Sequence, residues 1–216
     1  SRRAYDARKK STIHLVYSLD VDLADEAGVL QALKVRGADR HVASAPDTAY
    51  RFVAHASADL SQRPVVIGTG PCGLFAGLIL AQMGFRPIIL ERGKAVRERT
   101  KDTWGLWRKG ELDPESNVQF GEGGAGTFSD GKLYSQIKDS RHRGRKVLTE
   151  FVKAGAPEEI LYVSKPHIGT FRLVTMIENM RANIEALGGE IRFQSRVDDL
   201  LVERQTDLDG QMHGQV

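Results

Sequence analysis

A glycine-rich turn between two apolar segments constrains the fold of this chain more than any other feature. The apolar run Val65–Ile67 leads into three closely spaced glycines, and a second apolar run, Ile88–Leu90, ends at an acid. This order predicts a strand, a tight turn, a helix over residues 74–83 and a second strand. The chain therefore contains a predicted βαβ unit.

Each glycine of the turn is needed for a different physical reason. Gly68 allows the tight turn out of the strand, Gly70 lets the backbone approach a diphosphate, and Gly73 lets the helix pack close to the strand. Pro71 and Cys72 lie at the N-terminus of the helix, where unpaired amides and the positive end of the helix dipole attract phosphates. The turn thus predicts a dinucleotide site.

An acid and two arginines follow in register. Glu91 lies 23 positions after Gly68, where its carboxylate can accept the ribose hydroxyl protons. Arg92 comes next, and Arg99 lies on the following predicted helix, so both can place positive charge near the diphosphate. NAD(P) and FAD are both allowed by this motif.

A second glycine segment favours FAD. Residues 121–132 hold five glycines in twelve positions, a composition that costs much chain entropy on ordering. A flexible linker is the alternative, but Phe128 inside the segment favours an ordered loop whose amides face a cofactor. The predicted contacts are Gly123, Gly124, Ala125, Gly126 and Thr127. The backbone of Val197, on a later predicted strand, can pair with the adenine edge.

The sequence predicts an α/β fold in two parts. Residues 1–60 form a small α+β module, and residues 61–216 form a Rossmann-like FAD/NAD(P)-binding domain with a parallel sheet, helices and a β-meander. The predicted strands cover residues 12–19, 50–54, 65–67, 88–90, 190–193 and 197–203, and a turn at 207–210 leads into a last strand that makes a hairpin. The predicted helices cover residues 25–35, 74–83, 95–109, 141–153 and 171–187. The chain does not begin with Met, and we expect it to be truncated at both ends.

Composition limits the function classes. The 216 residues are 41% hydrophobic and 27% charged, which is typical of a soluble globular protein, and the net charge of +3 is small. One cysteine excludes a disulfide framework and a cysteine-based metal site. No apolar run reaches bilayer length. We therefore predict a cytoplasmic protein with no metal and no membrane or nucleic-acid partner, reading the basic residues 138–146 as a solvated surface.

Two tryptophans lie three residues apart on the predicted helix over residues 95–109. Trp104 and Trp107 therefore share one helix face. We expect them to pack in the core, and stacking on a cofactor ring is the alternative.

Longer stretches of the chain carry a family resemblance. Residues 117–133 and the segment 165–170, with the sequence KPHIGT, resemble bacterial uncharacterised FAD-dependent dehydrogenases, and the first twenty residues resemble their N-terminal module. The resemblance implies FAD held by Gly68, Gly70, Glu91 and the 123–127 loop. It also implies a larger protein with a substrate region and a final FAD motif. The chain departs from the family at Phe171, where relatives tend to carry an acid.

The resulting functional hypothesis is a flavoenzyme that passes hydride or electrons through FAD to or from a small-molecule substrate. His167, Lys132 and Asp130 are the candidates for proton transfer, and NAD(P)H is a possible electron donor. Lys132 or the amides of residues 123–126 can stabilise negative charge on the reduced flavin. The alternatives are a non-catalytic, redox-sensing dinucleotide-binding module and an NAD(P)-binding domain.

Overall fold

The computed structural model describes residues 2–9, 11–135, 137–206 and 212–215. The strands in these residues are β1 (Arg2–Lys9), β2 (Thr12–Ser18), β3 (Val65–Ile67), β4 (Ile88–Leu90), β5 (Glu190–Arg192), β6 (Glu203–Thr206) and β7 (Met212–Gln215). The α-helices are α1 (Glu26–Val35), α2 (Pro71–Gln82), α3 (Val96–Lys109), α4 (Arg143–Lys153) and α5 (Thr170–Ala186), with short 3-10 turns at Ala125–Phe128 and Glu158–Leu161. No helix among these residues combines the length and apolar character needed to cross a bilayer.

The chain divides into two compact units, and each is assembled from separated segments. The first unit comprises Ser1–Arg51 and Asp130–Arg172, and the second comprises Phe52–Ser129 and Leu173–Val216. This division differs from the predicted boundary at residue 60, because the N-terminal segment packs with residues far along the chain.

Backbone pairing explains why the N-terminal segment is not a module by itself. The Arg3 N–H donates to the Tyr162 carbonyl at 2.6 Å, and the Ser164 N–H donates to the Arg3 carbonyl at 2.9 Å. The Nζ of Lys146 on α4 also lies 5.3 Å from the centre of the Tyr50 ring. Strand β1 is therefore held on one side by β2 and at its start by the chain around residue 163.

The local elements of the first unit follow the sequence in part. The predicted strand over residues 12–19 and helix over residues 25–35 are confirmed as β2 and α1. Helix α1 begins after Asp25, whose carboxylate accepts the Gly28 N–H at 2.9 Å as an N-cap. The predicted strand over residues 50–54 is wrong. Those residues are irregular, because their apolar alternation meets no partner strand among the described residues.

A parallel sheet organises the second unit. Its strand order is β3–β4–β5, with Val66 beside Ile89 and Ile89 beside Ile191, which confirms the predicted strands at 65–67, 88–90 and 190–193. Ile89 is fully buried. A Cβ on Gly77 of α2 would lie 2.2 Å from Ile89 Cδ1 and 3.6 Å from Ile184 Cδ1 of α5, so this glycine allows close packing of helix on sheet. The mixed α/β class is confirmed.

The last residues depart from the prediction. No strand forms over residues 197–202, a largely exposed segment that includes two consecutive acids, Asp198 and Asp199. The predicted hairpin with its last strand is confirmed by the antiparallel pair of β6 with β7, in which Glu203 lies opposite Gln215. The predicted hairpin turn at 207–210 lies outside the described residues.

Candidate functional site

The first glycine turn has the geometry that its spacing predicts. Gly68 has a φ of +90°, a conformation that favours glycine, and its N–H donates to the Leu90 carbonyl at 2.7 Å. A Cβ on Gly73 would lie 1.9 Å from the Gly68 carbonyl oxygen, so only glycine lets α2 begin this close to β3. A Cβ on Gly70 would meet nothing within 4 Å. Gly73 is therefore a packing glycine, whereas Gly70 borders open space.

The start of α2 leaves donors free. Gly70 is the N-cap and supplies no side chain, and Pro71 has no N–H to donate. The N–H groups of Cys72 and Gly73 bond to no acceptor within the described part of the chain. Unpaired amides and the positive end of the helix dipole together favour an anion at this point.

Glu91 lies at the end of β4, but its carboxylate is already occupied. The side chain is 4% exposed and accepts four hydrogen bonds. Oε2 accepts the Thr69 N–H at 2.7 Å and the Thr69 hydroxyl at 2.6 Å, while Oε1 accepts the Gly93 N–H at 2.8 Å and the Gly121 N–H at 3.1 Å. A carboxylate offers about four acceptor positions. Contrary to the prediction, Glu91 joins the two glycine segments and has no acceptor left for ribose hydroxyls.

The second glycine segment is ordered and packs directly on the first. The Gly123 N–H donates to the Thr69 carbonyl at 2.9 Å, and a Cβ on Gly124 would lie 3.0 Å from Gly70 Cα. Gly121, Gly123 and Gly124 all have positive φ, at 114°, 86° and 66°. The flexible-linker alternative does not describe this loop. Ala125 and Gly126 are exposed, whereas the Thr127 side chain is buried beneath them.

Arg99 is a fully buried cation inside this loop. Its guanidinium donates only inward, at 2.6 to 2.8 Å, to the carbonyls of Asn117, Val118, Glu122 and Gly124. Burial lowers the pKa of Arg99 to about 10, which leaves it charged at neutral pH. The donors of Arg99 therefore hold the loop in shape, and its contribution of positive charge near a diphosphate stays a prediction.

Glu122 anchors the same loop to two helices. Its Oε2 accepts the Val96 N–H at 2.7 Å and pairs with Arg181 of α5 at 3.1 Å. Because Ala95, the N-cap of α3, has no capping side chain, Glu122 supplies the missing acceptor from outside the helix. Its Oε1 is buried without a partner among the described residues. Burial raises the pKa of this carboxyl group.

The two glycine segments meet at a cleft of about 310 Å³ at the carboxyl ends of β3, β4 and β5. Six of the predicted cofactor residues line it: Gly68, Gly70, Glu91, Arg92, Gly124 and Val197. Gly73, Arg99, Gly123 and Thr127 contact the glycine segments but do not line the cleft. Pro71, Cys72, Ala125 and Gly126 do not line it either. The structure adds Gln119, Phe120, Gly121, Ser195 and Arg196.

Two arginines on one wall of the cleft share a single carboxylate. Arg92 Nε and Arg196 Nη1 each donate to Glu115 at 2.8 Å, one to each oxygen, and together they lower the pKa of Glu115. The Arg92 guanidinium lies 3.9 Å from the centre of the Phe120 ring. The bridging role of Glu115 had no sequence signal, because the two arginines it joins are separated by about a hundred residues.

The three proton-transfer candidates come together in the first unit. Lys132 lies opposite His167 in an isolated antiparallel bridge, and its Nζ is 3.1 Å from Asp130, which raises the pKa of Lys132. The Ile168 N–H donates to the Gly131 carbonyl at 3.1 Å and fixes this pairing. All three side chains are exposed. The cleft belongs to the second unit, so its own lining contains none of them.

The tryptophans of α3 are not in the core. Trp104 and Trp107 are 47% and 52% exposed, so the core prediction is wrong. Their rings pack edge to face at 5.5 Å, and Trp107 packs in the same way on Phe128 at 5.9 Å. The buried face of α3 is instead formed by Val96, Arg99 and Thr103.

No protein-family model matches the chain. The chain is 43% identical over 199 residues to an uncharacterised protein of Clostridium beijerinckii, and the alignment covers 92% of the chain and 36% of that protein. The chain therefore spans about a third of the length of this relative.

Proposed function

We propose that the second unit is a Rossmann-like domain that binds FAD, and that the chain belongs to an FAD-dependent oxidoreductase acting on a small molecule. The observation that carries this proposal is the meeting of both glycine segments at one cleft, where Gly70 faces open space. A glycine whose Cβ position is open lets a ligand approach the backbone from that side.

The start of α2 fits the diphosphate. The free N–H groups of Cys72 and Gly73 and the helix dipole supply hydrogen bonds and positive potential. Gly70 leaves room for phosphate oxygens beside the backbone. No charged side chain is needed at this point, which agrees with the inward orientation of Arg99.

The wall at the ends of β4 and β5 fits the adenine. Arg92 and Phe120 form a stacked cation–ring pair, and the chain at Val197 offers backbone groups to the base edge. Glu91 and Arg99 act as positioning residues that join and shape the two glycine segments. Bound FAD would supply hydride or electron transfer.

A non-catalytic, redox-sensing dinucleotide module is the second candidate. It is favoured by one observation: the described lining of the cleft contains no histidine, lysine or cysteine that could exchange a proton. Bleaching of bound flavin by NADH or NADPH under anaerobic conditions would favour the enzyme. Bound flavin that stays oxidised with both donors would favour the sensor.

The site is tested by Gly70→Val. The substitution places a branched side chain in the open space of the cleft, and we expect flavin retention on purification to fall by at least about tenfold with the fold kept. Gly105→Val is the matched control, since a Cβ there meets its nearest atom at an ordinary 3.7 Å away from the cleft. Circular dichroism checks both folds. If Gly70→Val retained as much flavin as the wild type, the proposal that this cleft binds flavin would be wrong.

A further inference from the structure

A cavity of about 490 Å³ in the first unit concentrates hydrogen-bond donors that the proposed function does not use. It lies between β1 and the segment 163–167, outside every residue assigned above to the cofactor. Its lining includes Arg3, Tyr5, Ser164, Lys165 and His167, with a single acid, Glu159.

Strand geometry places these donors together. Arg3, Tyr5 and Ala7 alternate along β1 and therefore face the same side. Arg3 bridges Val163, but the chain then turns away and pairs elsewhere, with the Leu133 N–H donating to the Pro166 carbonyl at 2.9 Å. The cavity opens where the two segments separate.

The charges of the cavity are not neutralised within the described residues. No carboxylate there lies at ion-pair distance from Arg3 or Lys165, and the Nε of Arg3 is buried without an acceptor. The Cζ of Arg3 lies over the Tyr162 ring, 5.4 Å from its centre. A buried donor without an acceptor is energetically costly, so Arg3 lacks, among the described residues, part of the hydrogen bonding that its guanidinium can make.

We propose that this cavity binds the oxyanion group, a carboxylate or a phosphate, of a small molecule. An arginine fork recognises either group through paired hydrogen bonds, and Lys165, His167 and the hydroxyl groups of Tyr5 and Ser164 can reach further oxygens. The volume lies in the range of small-molecule sites. The proposal does not depend on flavin binding, since it uses no residue of the cleft.

The test is calorimetric titration of the 216-residue chain with inorganic phosphate and, separately, with succinate at low ionic strength. We expect saturable binding of at least one anion, and the one that binds identifies the group. Arg3→Gln and Lys165→Gln should each weaken binding by about tenfold. Arg2→Gln is the matched control, because it removes the same charge from the opposite face of β1 and should leave the dissociation constant within about twofold.

Two results would overturn the proposal. One is the absence of saturable binding of either anion. The other is an equal loss of affinity in Arg2→Gln and in the cavity variants, which would indicate general charge attraction. Circular dichroism monitors folding. If Arg3→Gln unfolds, Lys165→Gln provides the test, because Lys165 is exposed. An unchanged affinity for the anion in Lys165→Gln would count against the site.

Discussion

At the scale of single residues, three buried charged side chains of the second unit use their hydrogen bonds to hold the protein's own loops. Glu91, Arg99 and Glu122 are all buried, and each makes at least one hydrogen bond to the backbone of a glycine segment or to the start of α3. The sequence identified Glu91 and Arg99 as important but assigned them to ribose and diphosphate. Residue type and spacing predict where a charge lies along the chain, but they do not reveal which backbone groups will compete for it.

Arg99→Lys tests the positioning role. An ammonium group cannot reproduce the several directed bonds of the guanidinium, so buried carbonyls lose their donors. We expect the free energy of unfolding to fall by about 3 kcal/mol in urea titration. Arg97→Lys is the control on the same helix, since Arg97 is exposed and pairs with Glu178, and it should cost less than about 1 kcal/mol. Equal losses in the two variants would contradict the role of Arg99.

The raised pKa of Glu122 predicts how the free energy of unfolding depends on pH. Because burial raises its pKa above the unfolded value of 4.5, the folded state binds the proton more tightly, and the stability contributed by Glu122 falls as pH rises through its folded pKa. Glu122→Gln removes this titration. The free energy of unfolding of Glu122→Gln minus that of the wild type should therefore increase with pH above 4.5, as measured by urea unfolding at a series of pH values.

Glu115→Gln is the control with the opposite sign. Arg92 and Arg196 lower the pKa of Glu115, so its contribution to stability is present above pH 4.5 and is lost as pH falls through the lower folded value. The difference between this variant and the wild type should change only below pH 4.5. A flat difference for Glu122→Gln across the whole series would show that its carboxyl is not perturbed.

At the scale of elements, local signals predicted well and non-local pairings did not. The unit β3–α2–β4 follows from apolar runs and glycine spacing within a few turns of chain, and the structure confirms its elements. Strand β1 was missed because its charged sequence carries no apolar alternation, although its main partner, β2, follows it directly in the chain. The predicted strand over residues 197–203 does not form over residues 197–202. An apolar pattern typical of a strand does not by itself provide a partner strand.

Gly73→Ala tests the packing that begins α2. Its Cβ would collide with the Gly68 carbonyl, a backbone atom that cannot move without opening the turn. We expect a loss of about 3 kcal/mol in the free energy of unfolding, measured by urea denaturation. Gly70→Ala, three residues earlier with open space at its Cβ, should stay within about 0.5 kcal/mol of the wild type. A destabilised Gly70→Ala with an unaffected Gly73→Ala would reverse the assignment of packing and cleft glycines.

At the scale of the whole molecule, each unit is discontinuous in sequence. The prediction had the chain pass from the first unit to the second once, at a linker near residue 60. In the structure the chain also passes between the units near residues 129 and 172. The sequence shows which residues are neighbours along the chain. Nothing in its composition indicates that residues 130–172 pack with residues 1–51. The cofactor candidates and the proton-transfer candidates consequently belong to different units.

The central claim is that the cleft of the second unit binds FAD. The most direct measurement is the absorption spectrum of the purified protein, with the mass of the ligand released on denaturation and a titration with added FAD. We expect a flavin spectrum, a released mass equal to that of FAD and saturable binding that Gly70→Val weakens by at least about tenfold. A colourless protein that FAD does not saturate, or binding that Gly70→Val leaves unchanged, would contradict it.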